Sequence, residues 1–281
     1  MAEQGLEPQG WAKAPLPEMR SPGWRGWLRV LRRGVPAVGL LAAGVPVLIL
    51  LRLIERVFAG PRRPVTGPFV QGVCRGVLFF IGIGWTRRGT PMRGPGAVVA
   101  NHASWLDIFT LNAAMPVFFV AKSEVSTWPG INILTRVTDT HFVARDRRLA
   151  QAQAVEFAAR TRAGHRLLFF PEGTSSDSLR VLPFKPTLFQ GFLSPELPAD
   201  LAIQPATVIY HAPKEEDPRF YGWWADMALG PHILAVLSAP RQGRAEIDLH
   251  EPIPVTGKDR KTLSRLSENA IRAALPHDGA V

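Results

Sequence analysis

The chain has one cysteine in 281 residues. Cys74 has no partner for an internal disulfide, and a zinc site built on thiolates is excluded. Set in an apolar stretch, it reads as a small buried hydrophobe rather than a nucleophile. Other chemistries are missing too. The seven histidines are scattered and form no H-E-x-x-H pair, there is no P-loop, and "GIGWTRRG" lacks the spacing of a dinucleotide-binding loop. Without a G-x-S-x-G elbow, a serine-dependent α/β-hydrolase is also removed. Neither a metal nor an organic cofactor is expected. Acidic side chains are in short supply, 23 against 33 basic ones, which leaves a formal charge of +10. A field of that sign concentrates anions, and both nucleic acid and anionic lipid would answer it.

Charge is absent altogether from Gly34 to Leu51, "GVPAVGLLAAGVPVLILL", and this decides for lipid over nucleic acid. A run of that length stands at the threshold for a membrane-spanning helix. A second apolar stretch, "FVQGVCRGVLFFIGIGW", is interrupted only by Arg75. A simple signal peptide is excluded: the run begins late, is long, and has no small-residue cleavage site before a polar start. Arg25, Arg29, Arg32 and Arg33 precede it, with Trp11, Trp24 and Trp27 interleaved, the pattern of a cytoplasmic flank at headgroup level. Arg52, Arg56, Arg62 and Arg63 follow it, and Pro36 and Pro46 lie inside. Basic flanks on both sides and internal prolines favour a segment at the interface, or dipping into one leaflet, over a straight span. The expected organisation is a disordered N-terminus at 1–23, a membrane-associating helical segment at 24–67 and one catalytic-size domain at 68–281. The expected partner surface is an anionic membrane.

Beyond residue 90, strand and helix patterns alternate. "AVVA", "VFFVAK", "THFVAR", "RLLFF", "LAIQPATVIY" and "RAEIDLHEPIPV" read as strands. "SWLDIFTLNAA", "WPGINILTRV" and "RRLAQAQAVEFAAR" read as helices, with Gly164 placed where a helix end wants a left-handed residue. In the tail, Leu263, Leu266, Ala270 and Ala274 share one helical face. Repeated alternation predicts an α/β fold with a mainly parallel sheet flanked by helices.

Two polar clusters interrupt the apolar pattern at strand ends, where open α/β sheets carry their chemistry. In "VVANHASWLDIFTL", His102 and Asp107 are five residues apart, about 140° around a regular helix of 3.6 residues per turn. They meet only if His102 precedes the helix and Asp107 sits in its first turns. A carboxylate on one ring nitrogen then fixes the tautomer and leaves the other nitrogen to take a proton. The same residues also suit an ordinary helix start, with Asn101 or Ser104 as cap and Asp107 as a first-turn acid. In "LLFFPEGTSSD" a strand breaks at Pro171 into Glu172, Gly173, Thr174 and Ser175, a turn whose amides and hydroxyls suit a phosphate or a hydroxyl-bearing substrate.

Together these motifs resemble the glycerolipid acyltransferase family, which includes 1-acylglycerol-3-phosphate acyltransferases. "NHASWLD" is similar to its N-H-x-x-x-x-D block, "HFVAR" to the block whose arginine binds substrate phosphate, "FPEGTSS" to F-P-E-G-T, and "AIQPATV" to the last block. The resemblance implies His102 as base, Asp107 as its partner, Arg145 as a phosphate ligand, and Glu172, Gly173 and Thr174 as acceptor-positioning residues. It also implies that Pro205 shapes the acyl-binding side. Ser175 stands where the family often has arginine, which shifts phosphate binding toward Arg145 and Lys185, and "FKPTLF" has Pro186 and Thr187 where small residues are common. The implied reaction moves an acyl group from acyl carrier protein or acyl-coenzyme A directly to the hydroxyl of a lysophospholipid, at the cytoplasmic face of a bacterial inner membrane. The first reading is 1-acylglycerol-3-phosphate as acceptor, giving phosphatidic acid. The alternative is a phosphate-free lysolipid such as lyso-ornithine lipid. A non-catalytic membrane-binding module is a third, against which the intact His102 and Asp107 count.

Overall fold

The computed structural model of the chain describes residues 15–17, 19, 21–94, 96–122, 141–143, 150–195 and 197–276. Two helices come first, α1 (Trp24–Phe58) and α2 (Thr66–Ile81). Strands β1 (Gly84–Arg88) and β2 (Gly96–Ala100) lead into α3 (Asp107–Ala114), β3 (Phe118–Lys122) and β4 (His141–Val143). Then come α4 (Ala150–Arg162), β5 (Arg166–Phe169), a 3-10 helix at Pro186–Leu193 and β6 (Ala202–His211). The chain closes with α5 (Leu229–Ser238), β7 (Arg244–Leu249), β8 (Ile253–Pro254) and α6 (Arg260–Ala274). The expected helix at "WPGINILTRV" lies outside the described residues, as does Arg145.

The strands form one sheet in the order β1-β7-β6-β2-β5-β3-β4, with β8 also on β6. From β6 to β4 all neighbours are parallel, whereas β7 opposes β6 and β1 runs with β7. This is the α/β architecture read from the sequence, with an antiparallel margin added. Pro205 sits in the middle of β6, where a proline normally breaks the ladder. It is tolerated because Ala202 and Ile203 pair β8 while pairing with β7 begins at Ala206, so Pro205 falls where β6 changes partner.

Alternation along the strands divides the core in two. Val98 and Ala100 of β2, with Ala206, Val208 and Tyr210 of β6, face a cluster shared with α1, α2, α3 and α5. Ala97, Val99, Ile203 and Ile209 face the other side, where Phe189 and Phe192 of the 3-10 helix and Leu263 and Ile271 of α6 cover them. The tail helix is rotated from its expected face. Leu263, Ser264, Ser267 and Ile271 are buried, while Leu266, Ala270 and Ala274 are half-buried at the rim. Two small serines let α6 approach the core closely, a possibility that apolar spacing alone passes over. Gly164 follows α4 with φ +85°, the left-handed end its position called for.

α1 is docked along its length by a narrow stripe of Gly26, Val30, Arg33, Ala37, Gly44, Leu48 and Glu55. At one end the buried Arg33 guanidinium donates to the Leu237 and Ala239 carbonyls at 2.8 and 2.6 Å, capping the C-terminus of α5. At the other, Glu55 accepts from the Val65 and Thr66 amides at 2.6 and 2.9 Å and from the Thr66 hydroxyl at 2.6 Å, capping the N-terminus of α2. Between these ends α1 and α2 run antiparallel and close: a methyl group at Gly44 would lie 3.5 Å from Val73, and one at Gly76 only 2.5 Å from Leu40. Much of the remaining α1 surface between its basic ends, including Leu31, Val35, Val38, Leu50 and Leu53, is exposed and apolar.

Candidate active site

The turn from β2 into α3 answers what the first polar cluster does. Asn101 is fully buried and bonds the β6 backbone in both directions, Nδ2 to the Val208 carbonyl at 2.9 Å and Oδ1 from the Val208 amide at 2.8 Å. It is a brace between strands. His102 follows in the loop and Asp107 opens α3, so the chain folds back and His102 Nδ1 lies 2.7 Å from Asp107 Oδ2. The same oxygen accepts the Ala103 and Ser104 amides at 2.8 and 3.1 Å, and Oδ1 accepts the Tyr210 hydroxyl at 2.8 Å. A carboxyl already taking two amides and a phenol has no proton to give at Oδ2. The imidazole therefore carries its proton on Nδ1, and Nε2 keeps its lone pair. The Asp107 side chain has no exposure and that of His102 has 24%, so the buried partner orients a ring whose far edge reaches solvent. Phe170 stacks on the imidazole at 4.1 Å and 14° between planes, which fixes its remaining rotation.

The second cluster comes to the same place. Glu172, at the end of β5, is buried and accepts the His102 amide at 2.7 Å and the Leu182 amide at 2.8 Å. The His102 carbonyl in turn accepts the Ser176 amide at 2.8 Å, so the two loops are tied together twice. Burial pushes the Glu172 carboxyl up to about 8, the Asp107 charge adds to this, and the two amides pull against it. Gly173 has φ +76°, and a methyl group there would lie 2.8 Å from Lys185 Nζ, so the lysine ammonium rests over the turn and remains exposed. Thr174 is exposed beside it. Of the residues singled out from the sequence, His102, Asp107, Glu172, Gly173, Thr174 and Lys185 converge on one mouth at the ends of β2 and β5.

Three neighbours were not singled out for the site from the sequence. Tyr210 reaches Asp107 because positions 206, 208 and 210 of β6 alternate onto the His102 side of the sheet. His232 of α5 accepts the Trp105 indole N–H on Nδ1 at 2.9 Å and donates from Nε2 to the Phe220 carbonyl at 3.1 Å, and burial lowers its pKa, in keeping with a neutral ring. The Trp223 amide donates to the Ala103 carbonyl at 2.9 Å, so the "FYGWW" segment holds the loop from above. Trp224 is buried against Arg219, whose guanidinium lies 5.6 Å from its ring. The alternation of β6 was the available signal for Tyr210; nothing local marks His232.

The fold and this constellation define an acyltransferase. Residues 86–209 match the family described as Acyltransferase. A lyso-ornithine lipid O-acyltransferase of Rhodobacter capsulatus is 47% identical over 94% of this chain and 96% of its own. A 1-acyl-sn-glycerol-3-phosphate acyltransferase of Neisseria meningitidis is 39% identical over 41% of this chain and 47% of its own. Among solved structures, the 1-acyl-sn-glycerophosphate acyltransferase PlsC of Thermotoga maritima superposes with a TM-score of 0.64 at 18% identity, covering 92% of this chain and 98% of that one. The chain belongs to the acyltransferase family.

Proposed function

We propose that the chain transfers a fatty acyl group from an acyl thioester to the free hydroxyl of a lysolipid, with lyso-ornithine lipid as acceptor. The observation that carries the reaction is the 2.7 Å contact between His102 Nδ1 and Asp107 Oδ2, which leaves Nε2 as a base at the mouth. Nε2 takes the acceptor hydroxyl proton as the oxygen attacks the thioester carbonyl. The carbon–sulfur bond breaks, and the proton goes from the imidazolium to the leaving thiolate. No acyl-enzyme intervenes. The donor is acyl carrier protein or acyl-coenzyme A. The choice of acceptor rests on coverage: the similarity to the Rhodobacter capsulatus protein runs nearly end to end, whereas the similarity to the Neisseria meningitidis protein covers less than half of either chain. On this support we rank lyso-ornithine lipid first and 1-acylglycerol-3-phosphate second, the reverse of the order taken from the motifs alone. Ser175, standing where the family often has an arginine, agrees with an acceptor that makes less demand on phosphate binding.

In this reading Glu172 and Gly173 shape the acceptor turn, Thr174, Lys185 and Arg145 hold the polar head, and Pro205 supports the acyl side. The enzyme works on the anionic cytoplasmic face of a bacterial inner membrane, with 24–67 as the membrane-associating segment and 68–281 as the acyltransferase domain. The deciding experiment assays the purified protein in detergent with one labelled acyl donor against both lysolipids. Higher kcat/KM on lyso-ornithine lipid is expected; a preference for 1-acylglycerol-3-phosphate restores the other order. His102→Ala should lower turnover at least about 10²-fold on either acceptor, the low end for a positioned base.

A further inference from the structure

We propose that Tyr210 is a positioning residue of the catalytic pair, its hydroxyl aiming the Asp107 carboxylate at His102 and setting how strongly that carboxylate holds the imidazolium. The inference rests on the reading of His102 as base. Asp107 Oδ2 carries three donors, and without a partner on Oδ1 the carboxylate is free to rock about its Cβ–Cγ bond and to take up a different hydrogen bond to the ring. The Tyr210 hydroxyl, 2.8 Å from Oδ1, closes that freedom from a different element, the central strand β6. Its proton is committed to Asp107, which leaves its oxygen to accept from Thr110 Oγ1 at 3.2 Å, one turn further along α3. Tyrosine, threonine and aspartate are all fully buried or nearly so, and no solvent competes.

The charge environment fits a fixed donor. Burial and the Asp107 charge hold the Tyr210 phenol well above its ordinary range, so it stays protonated wherever the enzyme works. The other titratable groups nearby are His102 on the loop, Glu172 after β5, and Tyr221, whose ring lies 5.7 Å from that of Tyr210. Tyr221 is itself engaged, donating to Gln242 Oε1 and accepting the Gly243 amide at 2.8 and 2.7 Å, and Arg33 acts on it by charge. None of them supplies a second donor to Asp107 Oδ1. Tyr210→Phe therefore keeps the ring and its packing and removes the donor to Asp107 together with the oxygen facing Thr110, whose hydroxyl still reaches the Leu106 carbonyl at 3.3 Å. Without that donor the carboxylate is held through Oδ2 alone, and its aim at the imidazole loosens.

The test compares Tyr210→Phe, Thr110→Val and His102→Ala with the wild type in detergent, measuring kcat, KM for both substrates, and thermal midpoints. For Tyr210→Phe we expect kcat to fall about 10-fold or more, the worth of a hydrogen bond to a charged group, with KM for both substrates within about 2-fold. Thr110→Val should move the same quantities in the same direction by less, about 2- to 5-fold in kcat, because it removes a neutral bond one step further away. A purely structural tyrosine would lower the thermal midpoint and leave the kcat of the folded variants at wild-type values, and that result overturns the proposal. If His102→Ala keeps its turnover, the reading of His102 fails instead, and the role of Tyr210 with it. Loss of activity in His102→Ala beside an unchanged Tyr210→Phe rejects the tyrosine alone.

Discussion

Glu172 is the side chain where the sequence and the geometry pull on each other most. The F-P-E-G-T resemblance assigns it to the acceptor, yet both of its oxygens are occupied by backbone amides of the two loops that build the mouth. Its contribution to shaping the acceptor turn is then made by holding those loops in register. Burial raises its folded pKa to about 8 from an ordinary 4.5, so the proton it takes up on folding stabilises the protein fully below about pH 4.5, and that stabilisation is lost as pH rises through about 8. Glu172→Gln removes the titration and turns an N–H toward one of the amides, leaving a buried donor without an acceptor, at a cost of about 1 to 3 kcal/mol. The expected outcome is a lower thermal midpoint for the variant, with the wild-type margin narrowing between pH 5 and 9. A margin that stays constant over that range means that the two amides hold the carboxylate ionised. His102 and Asp107 were legible because five residues of spacing admit only one arrangement in which they meet. The contacts of Glu172 with the His102 amide and of the Tyr210 hydroxyl with Asp107 were not, since they join residues 70 and 103 positions apart.

At the level of elements, the helices around the sheet are held by charged side chains placed at one another's ends. Arg33 closes α5, Glu55 opens α2, and the C-terminus of α3 is gripped by Gln71 and Arg75 of α2 and Arg87 of β1, at 3.2, 3.0 and 2.8 Å from the Ala113 and Ala114 carbonyls. α3 carries Asp107 at its other end, so α2 and β1 brace the helix of the proposed catalytic pair from behind. Arg33 is the sharpest case because it is buried and bonds two carbonyls. Arg33→Met keeps the stem and removes both bonds, and should cost about 2 kcal/mol or more in detergent unfolding, with new proteolytic cleavage near residues 24–35 as α1 loosens from α5. Arg33→Lys should recover part of that loss. Most of these elements were legible: the β2, β3, β5 and β6 patterns, the α4 helix and its left-handed Gly164 all follow from local periodicity. β1 and α5 were not, because β1 is a mostly exposed strand with no alternation and α5 is a short apolar run that reads equally well as an interfacial segment. The direction of β7 was hidden for another reason: alternation marks a half-buried strand but carries nothing about which way it runs.

For the molecule as a whole, the proposed membrane association raises the question how a helix of 35 residues, about 52 Å at 1.5 Å per residue, would meet a bilayer whose hydrocarbon core is about 30 Å thick. Its docked stripe runs from Gly26 to Glu55, and α2 lies along it and against α3. A helix flanked by its own protein at both ends is poorly placed to cross a membrane, and well placed to lie in the interface with its exposed apolar side toward the acyl chains. Exposed Val38 and Leu50 of α1 and Phe79 of α2 supply that side, while Arg25, Arg32, Arg56 and Arg62 stand exposed at its ends, where anionic headgroups would meet them. Removing residues before Pro68 would strip α1 from α2 and α5 and uncover two helix ends, so substitution is the cleaner test. Val38→Glu with Leu50→Glu changes two mostly exposed side chains, at 64% and 57%, and the thermal midpoint in detergent should stay near the wild-type value. Burying a Val or Leu side chain is worth about 1.5 to 3 kcal/mol, so losing two should reduce flotation with anionic vesicles at least about 10-fold. Wild-type binding should also weaken as salt rises from 0.1 to 1 M and the screening length falls from about 10 to about 3 Å, but a residue of binding should persist, carried by the apolar face. Undiminished flotation of the double variant would move the anchor off α1, and complete loss of wild-type binding at high salt would reduce the contact to charge alone.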